Sequence, residues 1–345
     1  MERFLKALNP AYKVPDRRRF GGALLNEAHL RVQKQVELHL EQTTHLNIIM
    51  DKSSNITMER IANLSVHTQN GAFIYASENI GAQRSTAAIT KAWLVDKLIV
   101  LTNGNLLRIN SIATDTCPTM FAVWELLKQD SSLKHSLFIP CDAHGLQLII
   151  KDLLEFSLVL KTTLQQAQTI ANAFRSAPLQ YARLREYQQI KYNCHYALVL
   201  AVITRWGTQF RLAHWILRSK DALRAYAYEP TRLPTDLRGN AITTIKDPSF
   251  WSNLDLLKDI LEPLDEQVRM AESTHSHVGT VINRWAIIET TLKAHANQLP
   301  ELNTFNATAF QASSSRNSLG CALFDTLQCN INNGSDWRSL YHSIL

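Results

Sequence analysis

A short apolar run that ends on an acid constrains the fold of this chain more than any other feature. The run from Leu46 to Met50 is followed by Asp51 and then by a polar stretch that reaches Asn55. Its length and its isoleucines, bounded by Ser and Asn, favour a buried strand over a helix. We therefore expect Asp51 at the C-terminal end of a strand, where a carboxylate of an α/β sheet can face solvent or a metal ion.

The same pattern occurs a second time, because an apolar stretch that begins at Arg108 ends on Asp115. If the two strands are neighbours, both carboxylates lie at one sheet edge and raise each other's pKa. A divalent cation removes that repulsion, and hard oxygen ligands suit Mg²⁺ or Mn²⁺. Two such ions about 4 Å apart can support phosphodiester cleavage and transfer. Alternatively, each Asp only caps the turn or helix that follows it.

Hydrophobic periodicity predicts the other elements of the first half. Asn70-Gly71 is a strong hairpin signal between two alternating strands. Pro118 favours a helix start, since Pro is common in the first turn of a helix. The predicted order is a helix at about 22–42, strands at 46–51, 62–66 and 73–77, a helix at about 86–101, a strand at 108–115, a helix from 116, a strand at 137–140 and an amphipathic helix from about 141.

The rest of the chain shows helical periodicity without a strand pattern from Phe156 onward. Beyond about Gln298 the composition shifts to Asn, Ser, Thr and Gly, and the periodicity is lost. The whole order indicates an α/β fold with a mixed five-stranded sheet and flanking helices, followed by an all-helical region. The two clearest helical stripes are Phe250, Leu254, Leu257, Leu261, Leu264 and Val268, and then Val278, Val281, Ile282, Trp285 and Ile288.

Composition narrows the class of protein. Hydrophobic residues make up 46% and charged residues 19%, the balance of a folded soluble protein. No apolar stretch approaches the roughly 20 residues that cross a bilayer, and the N-terminus lacks a secretory signal. Five scattered cysteines argue against a disulfide framework and a structural zinc site. The net charge of +6 and the pI near 9.0 are compatible with a polyanionic partner.

Two further motifs have more than one interpretation. Cys141 and His144 stand three apart at a helix start, where they could bind metal or brace the acidic edge by hydrogen bonds. Arg205 and Trp206 lie side by side on a polar turn. An exposed Trp beside Arg can stack on a base while the Arg holds phosphate, although Trp is also a common core anchor.

Taken in order, these motifs resemble the transposases of the hAT superfamily, and the fungal and plant-type members above all. The ordered set is more specific than any one motif, and it covers most of the chain, from Leu8 to about Ala294. The resemblance rests on Asp51 at its strand end, Thr114-Asp115 before a helix, the stretch from Cys141 to Leu148, and Thr204-Arg205-Trp206.

The resemblance implies an RNase H-like catalytic core interrupted by an all-helical insertion. It implies that Asp51 and Asp115 are the first two acids of a metal-binding Asp-Asp-Glu triad, with Mg²⁺ or Mn²⁺ as cofactor. On this basis we predict an N-terminal helical lead-in at 1–45, a partial RNase H-like core at 46–156, a helical insertion at 157–298 and an irregular polar tail at 299–345.

The resemblance also assigns the two remaining motifs. Cys141 and His144 match the family's Cys-x-x-His and would shape the site. Arg205 and Trp206 match its Arg-Trp pair, in which the Trp stabilises a base flipped out next to the cut.

This chain departs from the family pattern at several points. Asp51 is followed by Lys52, where the family usually has Gly-Trp-Thr, and the lysine adds positive charge beside the first acid. No Glu matches the third acid, so enzymatic activity is left open. Without a zinc finger at the start or a dimerisation segment after the insertion, we expect a chain that is cut at both ends.

We therefore expect a fragment of a hAT-type DNA transposase that cleaves and transfers DNA strands with a metal ion in the nucleus. Its partners would be transposon-end DNA and, in the full-length family, a second copy of the chain, without a membrane or a small-molecule cofactor. The alternative is a transposase-derived protein that is catalytically inactive and only binds DNA or protein. A weaker third candidate is an RNase H-like nuclease acting on RNA–DNA hybrids.

Overall fold

The computed structural model describes residues 7, 9, 11, 13–82, 84–201, 207–230, 237, 239–273 and 276–305. Contacts divide the chain into two compact units, Met1–Ile139 and Pro140–Leu345. No helix among the described residues is long and apolar enough to span a membrane.

The first unit is built around a five-stranded mixed sheet in the order β3-β2-β1-β4-β5. β1 pairs antiparallel with β2 and parallel with β4, and β2 pairs antiparallel with β3. The predicted hairpin is present, with Gly71 at a φ of 136° that favours glycine. The strands are β1 Leu46–Ser54, β2 Arg60–Thr68, β3 Gly71–Asn79, β4 Ile109–Thr114 and β5 Leu137–Pro140.

Three helices accompany this sheet: α1 Leu25–Gln42, α2 Ala87–Thr102 and α3 Pro118–Lys128. A short helical turn at Arg17–Arg19 and a π-helical turn at Phe20–Leu24 precede α1. Alternation along β1 buries one face of the strand against α2 and α3, because successive side chains point to opposite faces. The core of this unit includes Leu46, Ile48 and Met50 of β1, Leu94 and Leu98 of α2, and Val123 and Leu127 of α3.

The apolar stripe of α1 is packed only near its C-terminal end. Leu40 is buried and Val36 is half-buried against the core of the sheet unit. Leu25 and Val32, which share the stripe at helical spacing, are 56% and 54% exposed. The periodicity therefore predicts the helix correctly but not how much of its stripe is covered.

The described residues of the second unit from α4 onward form helices and connecting turns. The predicted seam on the longest helix is confirmed, because every one of its six apolar side chains is buried. The helices are α4 Asp142–Phe156, α5 Leu158–Arg175, α6 Pro178–Tyr192, α7 Thr208–Arg218, α8 Lys220–Ala227, α9 Ala241–Lys246, α10 Pro248–Ala271 and α11 Val281–His295.

The mixed five-stranded sheet with flanking helices, followed by a mostly helical region, confirms the predicted α/β fold class. The segment predicted as an irregular tail from 299 is helical over residues 301–305. Leu302 and Phe305 pack into the helical core there, and this burial is why the helix persists although the local composition is polar. The predicted domain boundaries at 45, 156 and 298 stay predictions.

Candidate functional site

β1 and β4 pair in parallel, as the sequence predicted for the two acid-bearing strands, and their register includes Ile49 with Ala113. Asp51 lies two residues beyond Ile49, but it is not at a strand end as predicted, because the pairing of β1 with β2 continues to Ser54. Asp115 directly follows β4, which ends at Thr114. The strand neighbourhood predicted from the sequence is therefore present, and it fulfils the condition on which the two carboxylates could share a cation.

Each acid also has a local environment of its own. Asp51 is exposed and lies on the face of β1 opposite to the buried Met50. The Asp115 carboxylate accepts a hydrogen bond from the backbone N–H of Cys117 at 3.3 Å, just before α3 begins. Asp115 therefore caps the turn that leads into α3, as the alternative interpretation of the sequence expects, and it uses one carboxylate oxygen to do so. Burial raises the pKa of the Cys117 thiol, and the neighbouring Asp115 acts in the same direction.

Lys52 lies on the other face of β1 from Asp51 and is half-buried. Its ammonium donates to the hydroxyl of Ser85 and, at 2.6 Å, to the hydroxyl of Thr90 on α2. Burial lowers the pKa of Lys52; Cys117 and Asp115 raise it, and Arg60 lowers it further. The lysine beside the first acid is therefore fixed by hydroxyl groups, within electrostatic reach of Asp115.

The donor chemistry of Asp51 and Asp115 fits a hard divalent cation, since both supply carboxylate oxygens. Within the described ranges, no group of three or more His, Cys, Asp or Glu side chains is placed to hold a metal ion. The role of Asp51 and Asp115 as metal ligands stays a prediction.

The Cys141–His144 stretch opens α4 in the helical unit. Cys141 is the N-cap residue, and its carbonyl accepts the N–H of Gly145 at 3.0 Å. His144 is half-buried on the first turn. Cys141 and His144 are therefore placed by a helix start, and their site-shaping role stays a prediction.

Asp142, which the motif comparison left without a role, has the strongest contacts of that stretch. Its Oδ2 accepts from Arg284 Nε at 2.7 Å, and its Oδ1 accepts from the indole N–H of Trp285 at 2.8 Å. The Arg284 side chain is only 4% exposed, and its guanidinium also donates to the hydroxyls of Thr280 and Ser276. Asp142 thus joins α4 to α11. An acid in the first turn of a helix was the one sequence signal for it.

Arg205 and Trp206, the predicted nucleic-acid contacts, lie outside the described residues. The next residue, Gly207, has a φ of 74° and precedes α7. A Cβ at Gly207 would lie 2.5 Å from Oδ1 of Asp265, a buried carboxylate of α10. Burial raises the pKa of Asp265, whereas Arg269 and Arg211 lower it. Gly207, the residue directly after the Arg-Trp pair in the sequence, is therefore tightly packed.

The basic residues near α7 are partly engaged within the protein. The Arg218 guanidinium stacks on the ring of Tyr196 at 4.0 Å from its centroid. Lys220 forms an ion pair with Asp255 at 3.8 Å. Arg211 and Arg224 are exposed. These basic residues therefore form a mixed surface, on which some cations are engaged by other side chains.

Comparison with known protein families gives one match. Residues 15–170, a little under half of the chain, match the model of a family described as "Domain of unknown function (DUF659)". That domain is associated with hAT transposases, so the match gives weak support for a hAT-like protein. No curated protein matches the chain.

Proposed function

We propose that this chain is a hAT-type transposase-derived protein whose RNase H-like core binds DNA at the acidic edge of its sheet. The observation that carries the proposal is the parallel pairing of β1, which carries Asp51, with β4, which Asp115 directly follows. The match to the DUF659 model covers both acids and the Cys141–His144 stretch, and so supports the same assignment. DNA is the partner, the nucleus is the location, and Arg205 with Trp206 contact the DNA.

Asp51 and Asp115 are the residues that would hold Mg²⁺ or Mn²⁺ in this proposal. A bound divalent cation supplies activation of a water or a 3′-hydroxyl and stabilisation of the leaving oxygen in phosphodiester chemistry. The chain's own contribution is to carry one carboxylate on β1 and the other directly after β4, the strand adjacent to β1. The backbone N–H of Cys117 orients one of these carboxylates.

A DNA-binding protein without strand cleavage is the second candidate function, and the contacts of Lys52 favour it. Its cationic side chain lies within electrostatic reach of Asp115, where it offsets negative charge that would otherwise attract a cation. We therefore expect weak cation binding and little cleavage, together with retained DNA binding.

Manganese binding and DNA nicking test the proposal together. Purified protein should bind Mn²⁺, as measured by electron paramagnetic resonance, and Asp51→Asn or Asp115→Asn should each weaken that binding by about tenfold or more, because each removes a charged ligand. Asp96→Asn, at an exposed acid of α2, is the matched control and should leave Mn²⁺ binding unchanged. If Asp51→Asn and Asp115→Asn bind Mn²⁺ as well as the parent, the two acids are not its ligands.

The same preparations are then incubated with Mn²⁺ and a hairpin-forming terminal-repeat DNA. We expect DNA binding with little nicking. Clear cleavage that disappears in Asp51→Asn and Asp115→Asn would establish the enzyme over the inactive binder. Absence of DNA binding would overturn the proposed function itself.

A further inference from the structure

The ammonium group of Lys52 has different contact partners from those of two comparable lysines in the sheet unit. On α2, Lys91 forms an ion pair with Asp130 at 3.0 Å, and Lys97 forms one with Glu78 at 2.5 Å. Lys52 is half-buried as they are, but it has no carboxylate of the described residues within ion-pair distance. Its ammonium donates to two hydroxyls, and Cys117 and Asp115 interact with it electrostatically. A cation withdrawn from water is costly unless an anion compensates it.

A second cation lies on the same face of the sheet. Lys52 pairs across the ladder with Ala62, and Ser54 pairs with Arg60, so Lys52 and Arg60 point to the same side two residues apart. Like charges on the same face of neighbouring strands disfavour each other. An anion bound beside Lys52 would therefore lie on a face that also carries the cation of Arg60.

The hydroxyls around Lys52 can act as donors toward such an anion. An ammonium has three N–H groups, and two of them are directed at Ser85 and Thr90. Each hydroxyl accepts from Lys52, and the two hydroxyl oxygens lie 3.5 Å apart, so that one can donate to the other while the second keeps its O–H for a ligand. Ser85 and Thr90 flank the first turn of α2, where the backbone dipoles also favour negative charge. The cluster thus combines a cation with several donors over a small area.

We propose that Lys52, Ser85 and Thr90 form a binding site for a phosphate group. A phosphate fits because it has several acceptor oxygens and a formal charge opposite to that of the ammonium. The identification of that phosphate with the backbone of nucleic acid rests on the proposed function, since β1 carries Asp51 and Lys52 side by side. In this arrangement the lysine holds a phosphate on the face of β1 opposite to Asp51.

The test follows the Lys52 ammonium directly. The protein is produced with ¹³C,¹⁵N-labelled lysine, and the Lys52 side-chain signal is identified as the one that disappears in Lys52→Arg. Inorganic phosphate and a single-stranded oligonucleotide are then titrated separately, and both should shift that signal. In parallel, Lys52→Met should weaken oligonucleotide binding by about tenfold, because it removes a charge-assisted hydrogen bond. It should also lower the slope of log K against log salt by about one.

Two variants control for folding and for general loss of charge. Lys91→Met removes a lysine of similar burial that already has a carboxylate partner, and its oligonucleotide affinity should stay within about twofold of the parent. Ser85→Ala removes one donor without removing charge and should weaken binding by about threefold. The thermal melting of each variant shows whether the fold is retained.

The outcomes separate this inference from the proposed function. If the parent binds DNA and Lys52→Met and Ser85→Ala bind it equally well, the phosphate site is wrong and the proposed function stands. If the Lys52 signal responds to inorganic phosphate while the protein binds no DNA, the phosphate site stands and the proposed function fails. A Lys52 signal that responds to neither ligand overturns the site.

Discussion

At the scale of single residues, Asp142 fixes the Cys141–His144 stretch to α11, although the sequence motif gave this residue no role. Arg284 is almost fully buried, and Asp142 is the carboxylate that its guanidinium meets, at 2.6 Å in the shortest contact. Removing one partner of a buried ion pair leaves an uncompensated charge and costs about 3–5 kcal/mol. Asp142 therefore contributes to the stability of the helical unit whatever the role of Cys141 and His144.

Substitutions at this contact give the first prediction at the residue scale. Asp142→Ala should lower the free energy of unfolding by about 3 kcal/mol, because the Arg284 guanidinium keeps only hydroxyl partners. Trp285→Phe retains the ring and loses one hydrogen bond, so it should cost about 1 kcal/mol. His144→Ala, on the same helical turn, is the comparison and should cost less than Asp142→Ala. Urea denaturation followed by circular dichroism measures all three, and equal losses would contradict the special role of Asp142.

The residues that sequence reasoning identified and those it missed differ in a physical way. Asp51 and Asp115 were identifiable because an apolar run followed by an acid is a local signal, although β1 continues beyond Asp51 to Ser54. The contact of Asp142 with Arg284 joins residues on two helices far apart in the chain, and that of Lys52 with Thr90 joins a strand to a helix. No local pattern specifies such pairs, since they depend on how the elements pack.

At the scale of elements, Gly207 sets the start of α7. Its φ of 74° lies in the region that favours glycine, and the Asp265 carboxylate fills the space where a Cβ would be. Gly207 therefore satisfies two requirements, a backbone conformation and a close approach. Gly239 satisfies only the first, because its φ is 70° and a Cβ there would lie 3.7 Å from the Thr169 methyl group.

The two glycines form a matched pair for an experiment. Gly239→Ala should lower the free energy of unfolding by about 1 kcal/mol, the strain of a left-handed alanine. Gly207→Ala should cost about 1–2 kcal/mol more, because the new methyl group displaces the Asp265 side chain. The Gly207→Ala and Asp265→Ala double variant should recover part of that excess in chemical denaturation. If the two single variants are equally destabilised, the contact with Asp265 does not constrain this turn.

Regular elements were predictable from the sequence to the extent that one face of each is buried. The strand at 137–140 and the seam of α10 carry clear periodicity, and both are present where expected. The uncovered half of the α1 stripe and the helical turn at 301–305 could not be predicted, because burial there is decided by neighbours remote in the sequence. The local sequence shows which face of an element is apolar, and the packing of remote elements decides whether that face is buried.

At the scale of the whole molecule, the part of the chain that the structure describes has two hydrophobic cores that share no residue. One core belongs to the sheet unit and contains Leu98, and the other belongs to the helical unit and contains Leu257. Both leucines are fully buried. A chain of 345 residues is long enough to maintain two separate cores. Each core can therefore be weakened on its own.

Leu98→Ala and Leu257→Ala test this division in the full chain. Each substitution should destabilise its own core by about 2–5 kcal/mol, because it removes buried methyl groups and leaves a cavity. In hydrogen exchange followed by mass spectrometry, Leu98→Ala should speed exchange in α2, β1 and β4 and leave α10 unchanged. Leu257→Ala should give the reverse pattern. Equal acceleration in both units by either variant would show that the two cores unfold as one cooperative structure, since a local opening would stay within its own unit.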